Sequence, residues 1–583
     1  MTRLTTLLLV AAMLLAGLGP DAALAAKRNP ARKTKPVTPA DLVLPVDAAS
    51  LATTQDWYVV QLRAAAGDPG KVATRLAKAY GLTVKNVYRK ALSGFAAKVP
   101  ADRLVALRSD PAVVSVEQDR PITLIDPERA PSAAKKKPSF DFGPYQSVSN
   151  NGKQVVPWGV ARTGAPANPL WQDAANHPID IGIAVIDTGV DKDHPDLNVA
   201  GGFNCSSTNA NDENDFHDGY GHGTHVSGTA AAKNNGIGVV GVAPGARLYG
   251  VKVLNDKGIG STSTLLCGLD WVAQQVAADV DISVVNMSLG GPGNPNAVKG
   301  CDAATAASEE HALCDLVAAG VTVVAAAGNE CRDAADYDPA MYPEVITVGA
   351  LADDDGKPGG LGGPTQVSRG CGKKAPYVNV PDDTMAPFSN YGPAVDVWAP
   401  GEGILSTVSP NGTKNPSLYD GVGWSGTSMA TPHVTGSVAL WVAGYRAVNG
   451  GADPTVEQVR SALLTAGSAG HPGAESLDLV NSRYGQRGSL DMPQQVQALV
   501  INNDPNGPSA SAAPSAAAKA TPSKHGKGRG KGTAKSAAAD PTATPAADGA
   551  NASPPDATTP KPAKSGKHAK AHKAKGKHQK RGT

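Results

Sequence analysis

Six runs of apolar, largely β-branched residues recur through the middle of the chain, at 181–186, 248–253, 282–287, 321–326, 345–348 and 395–398. Apolar residues dominate each run rather than alternating with polar ones, so each predicts a strand buried on both faces. Stretches with helical spacing lie between them, at 264–278, 304–319 and 428–445. Strands alternating with helices predict an α/β body with a parallel sheet flanked by helices. That body, residues 153–500, is long enough to bury a large core.

A different pattern precedes it. Trp57-Tyr58-Val59-Val60-Gln61-Leu62 alternates like a strand, and Val72, Leu76 and Tyr80 stand four apart like one face of a helix. Further strands are expected at 95–99 and 113–119, with a short helix at 101–109 between them. This order predicts a small α+β domain at residues 56–122. Residues 26–55 and 123–152 read as linkers. Residues 501–583 are mainly Ala, Pro, Ser, Gly and Lys with no aromatic residue. Such a segment buries too little apolar surface to offset chain entropy, which predicts a disordered tail.

The N-terminus changes the compartment. Arg3, the apolar stretch 4–18 and Ala23-Leu24-Ala25 form the pattern of a cleaved signal peptide at residues 1–25, and a secreted protein is expected. Six cysteines in an exported chain allow up to three disulfides. The expected pairs are Cys205–Cys267, Cys301–Cys314 and Cys331–Cys371, with some buried thiols as the alternative. The net charge of +2 conceals a split: from Asn503 onward 15 Lys and Arg face 4 Asp and Glu, +11, leaving −9 for the rest. The basic excess is confined to the tail, and no nucleic-acid partner is expected. The tail is read as solubilising or as an electrostatic contact with anionic cell-wall polymers.

Three segments carry the chemistry: Val185-Ile186-Asp187-Thr188-Gly189, Gly221-His222-Gly223-Thr224-His225-Val226-Ser227-Gly228-Thr229 and Gly426-Thr427-Ser428-Met429-Ala430-Thr431-Pro432. Taken singly, an Asp after a strand is usually a turn residue, and a Ser at a helix start is usually a cap. Together they supply an activated serine. Ser428 would attack a carbonyl carbon, His222 would take its proton and Asp187 would hold the imidazole in the useful tautomer. Asp, His, Ser is one of three chain orders known for this set. Pro432 is expected in the first turn of the helix that Ser428 opens.

These segments closely resemble the subtilase family of serine peptidases, and the resemblance spans residues 56–500. It implies a subtilisin-like fold and an endopeptidase that cleaves protein and peptide substrates through an acyl-enzyme. It assigns the base to His222 and leaves His225 structural. By the same resemblance Asn329 donates to the oxyanion. Gly258, Gly260, Ser288, Leu289 and Gly290 pair with an extended substrate, and Ala326 and Gly328 help to wall the pocket before the scissile bond. Small apolar walls suit large apolar residues. Glu330 is either at that rim or a surface acid. Ser93-Gly94-Phe95-Ala96-Ala97-Lys98-Val99 and Val116-Glu117-Gln118-Asp119 make the small domain similar to the family's propeptide, whose last strand lies in the active site as an inhibitor. The product would be an inhibited zymogen and a monomer.

The resemblance also implies structural calcium. Side-chain oxygens of Gln154, Asp196 and Asn235, with the carbonyls of Lys233, Ile237 and Val239, would give six hard ligands, a count that suits Ca²⁺; a plain hairpin is the alternative. Asp212, Glu213 and Asp215 with Asp218 form an acidic run, read as a solvated loop or as a site for basic residues or a second ion. The long linker after Asp119 and the insertion at 353–381 depart from simple subtilases. Two other functions stay open: an inactive binding protein that works through its tail, and a processing peptidase for one partner.

Overall fold

The structure, a computed structural model, describes residues 54–125, 128–129, 146–147, 154–206, 215–301, 307–353, 355–356, 365–367, 378–408 and 423–469. The expected signal peptide, the tail and the acidic residues Asp212 and Glu213 lie outside them.

The small domain is an antiparallel sheet of β1 (Trp57–Leu62), β2 (Thr83–Tyr88), β3 (Gly94–Lys98) and β4 (Val113–Gln118), in the order β2-β3-β1-β4. The helix Pro69–Tyr80 packs on it. Asp68 caps the first turn by accepting from the Lys71 N–H, and Gly81 ends the helix in the left-handed region. Val72, Ala73 and Leu76 join Val60, Phe95, Ala97 and Val116 in one buried cluster. The expected helix at 101–109 is a 3₁₀ turn, Ala101–Arg103, followed by Leu104–Arg108. β2 is an addition to the sequence reading. Its buried positions are Asn86 and Tyr88, and both donate to the Ser263 carbonyl of the large domain, at 3.2 and 2.9 Å. A strand buried by polar contacts with another domain leaves no apolar alternation to read.

Four short strands follow: β5 (Pro121–Leu124), β6 (Glu128–Arg129), β7 (Gln146–Ser147) and β8 (Gln154–Val156). Residues 123 and 124, read as the start of a linker, therefore belong to a strand.

The large domain contains β9 (Gly182–Asp187), β10 (Val199–Asn204), β11 (Gly238–Val239), β12 (Arg247–Lys252), β13 (Ile259–Ser261), β14 (Val284–Met287), β15 (Leu289–Pro292), β16 (Thr322–Ala326), β17 (Tyr337–Asp338) and β18 (Ile346–Ala352). The last five are β19 (Thr365–Val367), β20 (Val378–Val380), β21 (Thr384–Met385), β22 (Val397–Pro400) and β23 (Trp424–Ser425). The main sheet has the order β10-β12-β9-β14-β16-β18-β21, with β22 also on β18. Its pairings are parallel except β18 with β21, so the expected parallel sheet carries one antiparallel edge.

Both faces are covered, which is why the strands read as unbroken apolar runs. Ile183, Val185, Val284, Val324 and Val348 pack with Val226 and Ala230 of the helix His222–Ala231 and Val434 and Val438 of the helix Thr427–Val448. The alternate residues Ala184, Ile186, Val285, Met287 and Val323 pack with Leu265 and Leu269 of Thr262–Val276 and Leu313 and Leu316 of Ser308–Ala318. Cys205–Cys267 and Cys301–Cys314 are formed as expected. Cys331 is disulfide-bonded too, and its expected partner Cys371 lies outside the described residues.

Candidate active site

Asp187 is the last residue of β9, His222 the first of its helix and Ser428 the second of the helix Thr427–Val448. All three are fully buried. The Nδ1–H of His222 donates to both carboxylate oxygens of Asp187, at 2.8 and 3.0 Å. This leaves Nε2 as the ring's acceptor, and it is buried without a partner. The Ser428 hydroxyl donates to the carbonyls of Ile125 and Ser288, both at 3.2 Å.

Close backbone approach makes this meeting possible. A Cβ at Gly223 would overlap the Gly189 carbonyl oxygen, so only glycine lets the His222 helix sit against the Asp187 strand end. Gly328, at φ +103°, holds the turn that presents Asn329. Asn329 Oδ1 accepts from the N–H and the hydroxyl of Thr427, each at 2.9 Å, which ties that side chain to the first turn of the Ser428 helix.

Two residues that hold this arrangement carry no sequence signal of their own. Asp218 is buried and gathers five donors: the hydroxyls of Thr188 (2.8 Å) and Thr224 (2.7 Å) and the N–H groups of Tyr220, Gly221 and Thr224. It joins the turn after Asp187 to the start of the His222 helix. By sequence it belongs to an acidic run expected to be solvated or ligand-binding; the fold instead occupies its oxygens. Asn286 donates to the Ser288 hydroxyl at 3.0 Å and accepts from Thr435 at 2.9 Å. Pro432 is the sixth residue of its helix and not in the first turn.

β5 lies in the cleft. It runs antiparallel between β13 and β15, pairing Thr123 with Ile259, Ile122 with Gly260, Thr123 with Gly290 and Leu124 with Leu289. The Leu124 N–H donates to the Gly258 carbonyl at 2.8 Å. Ile125 is 1% exposed and clusters with Ala326 and Ala327. Beyond it, β6 pairs with β23, just before Gly426. The chain thus crosses both sides of Ser428. Glu330 is half-buried beside Gly328: it accepts from Asn390 at 2.9 Å, and burial raises its carboxyl above the ordinary range. His225 is held at the Ile404 carbonyl (3.1 Å) and stacks on Trp424, 4.6 Å between centroids.

The subtilase family model matches residues 179–487 and the peptidase inhibitor I9 model residues 48–124. The chain belongs to the subtilase family. Subtilisin NAT of Bacillus subtilis subsp. natto is 37% identical over 316 residues, 54% of this chain and 68% of that protein. An alkaline protease of Shouchella clausii is 35% identical over 361 residues, 60% and 78% of the two chains. The subtilisin of Bacillus pumilus is 38% identical over 290 residues, 49% and 84%. This subtilase is therefore a serine peptidase with an inhibitor domain ahead of it, the organisation of a zymogen. The inhibitor match ends at 124, the last residue of β5.

The expected calcium residues of this subtilase converge. Gln154 Nε2 donates to the carbonyls of Lys233 (2.8 Å), Ile237 (2.8 Å) and Val239 (3.2 Å) and to Asn235 Oδ1 (3.3 Å). Asp196 is fully buried; its Oδ2 accepts from the Val239 N–H at 3.0 Å and its Oδ1 has no partner. Burial pushes that carboxyl up to about 7. The four oxygens surround the Gln154 amide nitrogen, while Gln154 Oε1 accepts from the Gly236 N–H at 2.9 Å. Turning that amide over would bring its oxygen to the same four, and with the orphaned Asp196 oxygen this donor set suits a hard cation.

Proposed function

We propose that this subtilase is a secreted endopeptidase whose catalytic residues are Asp187, His222 and Ser428. Ser428 attacks the carbonyl carbon of the residue seated where Ile125 lies. His222 Nε2 takes the hydroxyl proton once that hydroxyl turns from the Ser288 carbonyl, and later gives it to the leaving amine. Asp187 keeps the other ring proton on Nδ1 and stabilises the imidazolium. The oxyanion is met by the Asn329 side-chain amide and the Ser428 N–H at the positive end of its helix. Collapse gives an acyl-enzyme, which water hydrolyses.

The observation that carries this reading is the Ile125 carbonyl at the Ser428 hydroxyl, on a strand paired along both edges. It also supports a maturation site. In this zymogen the bond between Ile125 and Asp126 is the one presented for self-cleavage, and β1 to β5 then remain as the inhibitor. Backbone pairing through Gly258, Gly260, Leu289 and Gly290 reads extended peptide, with the small residues Ala326 and Gly328 beside an apolar side chain.

Gln154, Asp196 and Asn235, with the carbonyls of Lys233, Ile237 and Val239, would hold calcium. When bound, the ion ties β8 to the loop before β11 and supplies no step of the reaction. The basic tail would contact anionic polymers by charge, a contact that added salt should weaken.

The test is expression of the full chain with and without Ser428→Ala. Wild type should yield a form beginning at Asp126, react with a fluorophosphonate and cleave casein. Ser428→Ala should remain unprocessed and unlabelled. Processing at that bond in purified Ser428→Ala would overturn the proposal.

A further inference from the structure

We propose that Glu309, Asp338 and the Pro292 carbonyl form a subsite of the mature enzyme that selects a basic residue, arginine above lysine, six positions before the cleaved bond. The inference rests on the reading that Ile125 occupies the position just before that bond; Arg120 is then sixth.

Arg120 shows how the subsite is filled. One guanidinium nitrogen contacts Asp338 Oδ2 and lies 3.5 Å from Glu309 Oε2; another donates to the Pro292 carbonyl at 3.3 Å. The two acid side chains are 1% and 2% exposed, whereas Arg120 is 38% exposed. The cation therefore reaches in from the surface to acids sunk in the large domain. Glu309 Oε1, Asp338 Oδ1 and Tyr342 Oη are buried there without hydrogen-bond partners. Burial and the neighbouring Asp338 drive the Glu309 carboxyl well above its usual range, and the Arg120 charge opposes them.

The socket belongs to the peptidase, not the inhibitor. Glu309 stands in the first turn of Ser308–Ala318, Asp338 in β17 and Pro292 in β15. Departure of the inhibitor removes the cation and leaves both acids in place. Losing one member of a buried charge pair is costly, so a substrate that restores the cation gains what a neutral one does not. Register is fixed as well. The Thr262 N–H donates to the Arg120 carbonyl at 2.8 Å, and Pro121 pairs with Ser261. A substrate lying as β5 lies brings its sixth side chain to the same place. A planar fork reaches two carboxylates and a carbonyl at once, which the point charge of lysine does less well.

The test uses processed enzyme, with active sites titrated, and p-nitroanilides of X-Pro-Ile-Thr-Leu-Ile in which X is Arg, Lys, Gln or Glu. In wild type kcat/KM should fall in the order Arg, Lys, Gln, Glu, with Arg over Gln by at least about tenfold. In Glu309→Gln and in Asp338→Asn that ratio should fall to within about twofold of one. A ratio taken within one preparation is insensitive to partial misfolding. Equal cleavage of all four peptides by wild type overturns the socket while leaving the peptidase reading intact, and so does a ratio that survives both substitutions. Absence of Ser428-dependent cleavage of every peptide overturns the peptidase reading and the socket with it.

Discussion

The Ser288 hydroxyl donates to the Ser428 carbonyl at 2.9 Å. In an unbroken helix that carbonyl would accept from residue 432, but Pro432 has no N–H to give. Ser288 therefore replaces a missing helix bond, and Asn286 and Thr435 hold Ser288 in place. Ser288→Ala should orphan a buried carbonyl and cost about 1–3 kcal/mol. Adding Pro432→Ala should recover part of the loss, because an alanine at that position has an N–H to donate to the Ser428 carbonyl. Denaturant midpoints in a Ser428→Ala background, free of self-digestion, measure both. Unchanged stability in Ser288→Ala would remove this account.

Asp218 accepts five hydrogen bonds, and Asn cannot accept all of them. Asp218→Asn turns one acceptor oxygen into a donor facing donors. It should destabilise the chain by about 2–4 kcal/mol and loosen the His222 helix from the Asp187 turn. Thermal unfolding and peptide hydrolysis should both suffer. A variant with wild-type stability and rate would show that the network is dispensable.

Calcium at the Asp196 loop should appear as a chelator-sensitive melting temperature. At free calcium one hundredfold above Kd the gain is about 2.7 kcal/mol. Asp196→Ala should abolish the difference between calcium and chelator. Lys233→Ala should keep it, since the Lys233 ligand is a backbone carbonyl that alanine also supplies. Equal melting temperatures in calcium and chelator for the unsubstituted chain would count against the ion.

His433 gives a pH dependence. Burial lowers its ring from 6.5 to about 4. The fold holds the neutral ring, so its contribution is complete above pH 6.5 and is lost as pH falls toward 4, by up to about 3 kcal/mol. In the Ser428→Ala background, stability should decline across that window with an uptake of about one proton. His433→Gln should flatten the decline by that amount; parallel profiles would refute the assignment.

Much of the large domain was legible because its strands are buried on both faces. Val284–Met287 and Thr322–Ala326 are short apolar runs that could be neither surface strands nor long helices. The segments around Asp187, His222 and Ser428 were legible because glycines and threonines crowd each of them. β2 was not, since Asn86 and Tyr88 are buried by a carbonyl from the large domain, 177 and 175 residues away. Asp218 was misread for a related reason: an acid in a polar loop looks solvated until the fold brings five donors to it.

The chain's order of residues thus determined the strand and helix content, the three segments around Asp187, His222 and Ser428 and the oxygen-rich loop after residue 232. These are local matters of periodicity and side-chain type. Tertiary structure alone decided that the Ser288 hydroxyl would serve a carbonyl 140 residues away, that the Ile125 carbonyl would reach Ser428 and that Arg120 would meet Glu309 and Asp338. Such contacts depend on which strand edges and helix ends the sheet brings together, and spacing along one chain does not encode that meeting.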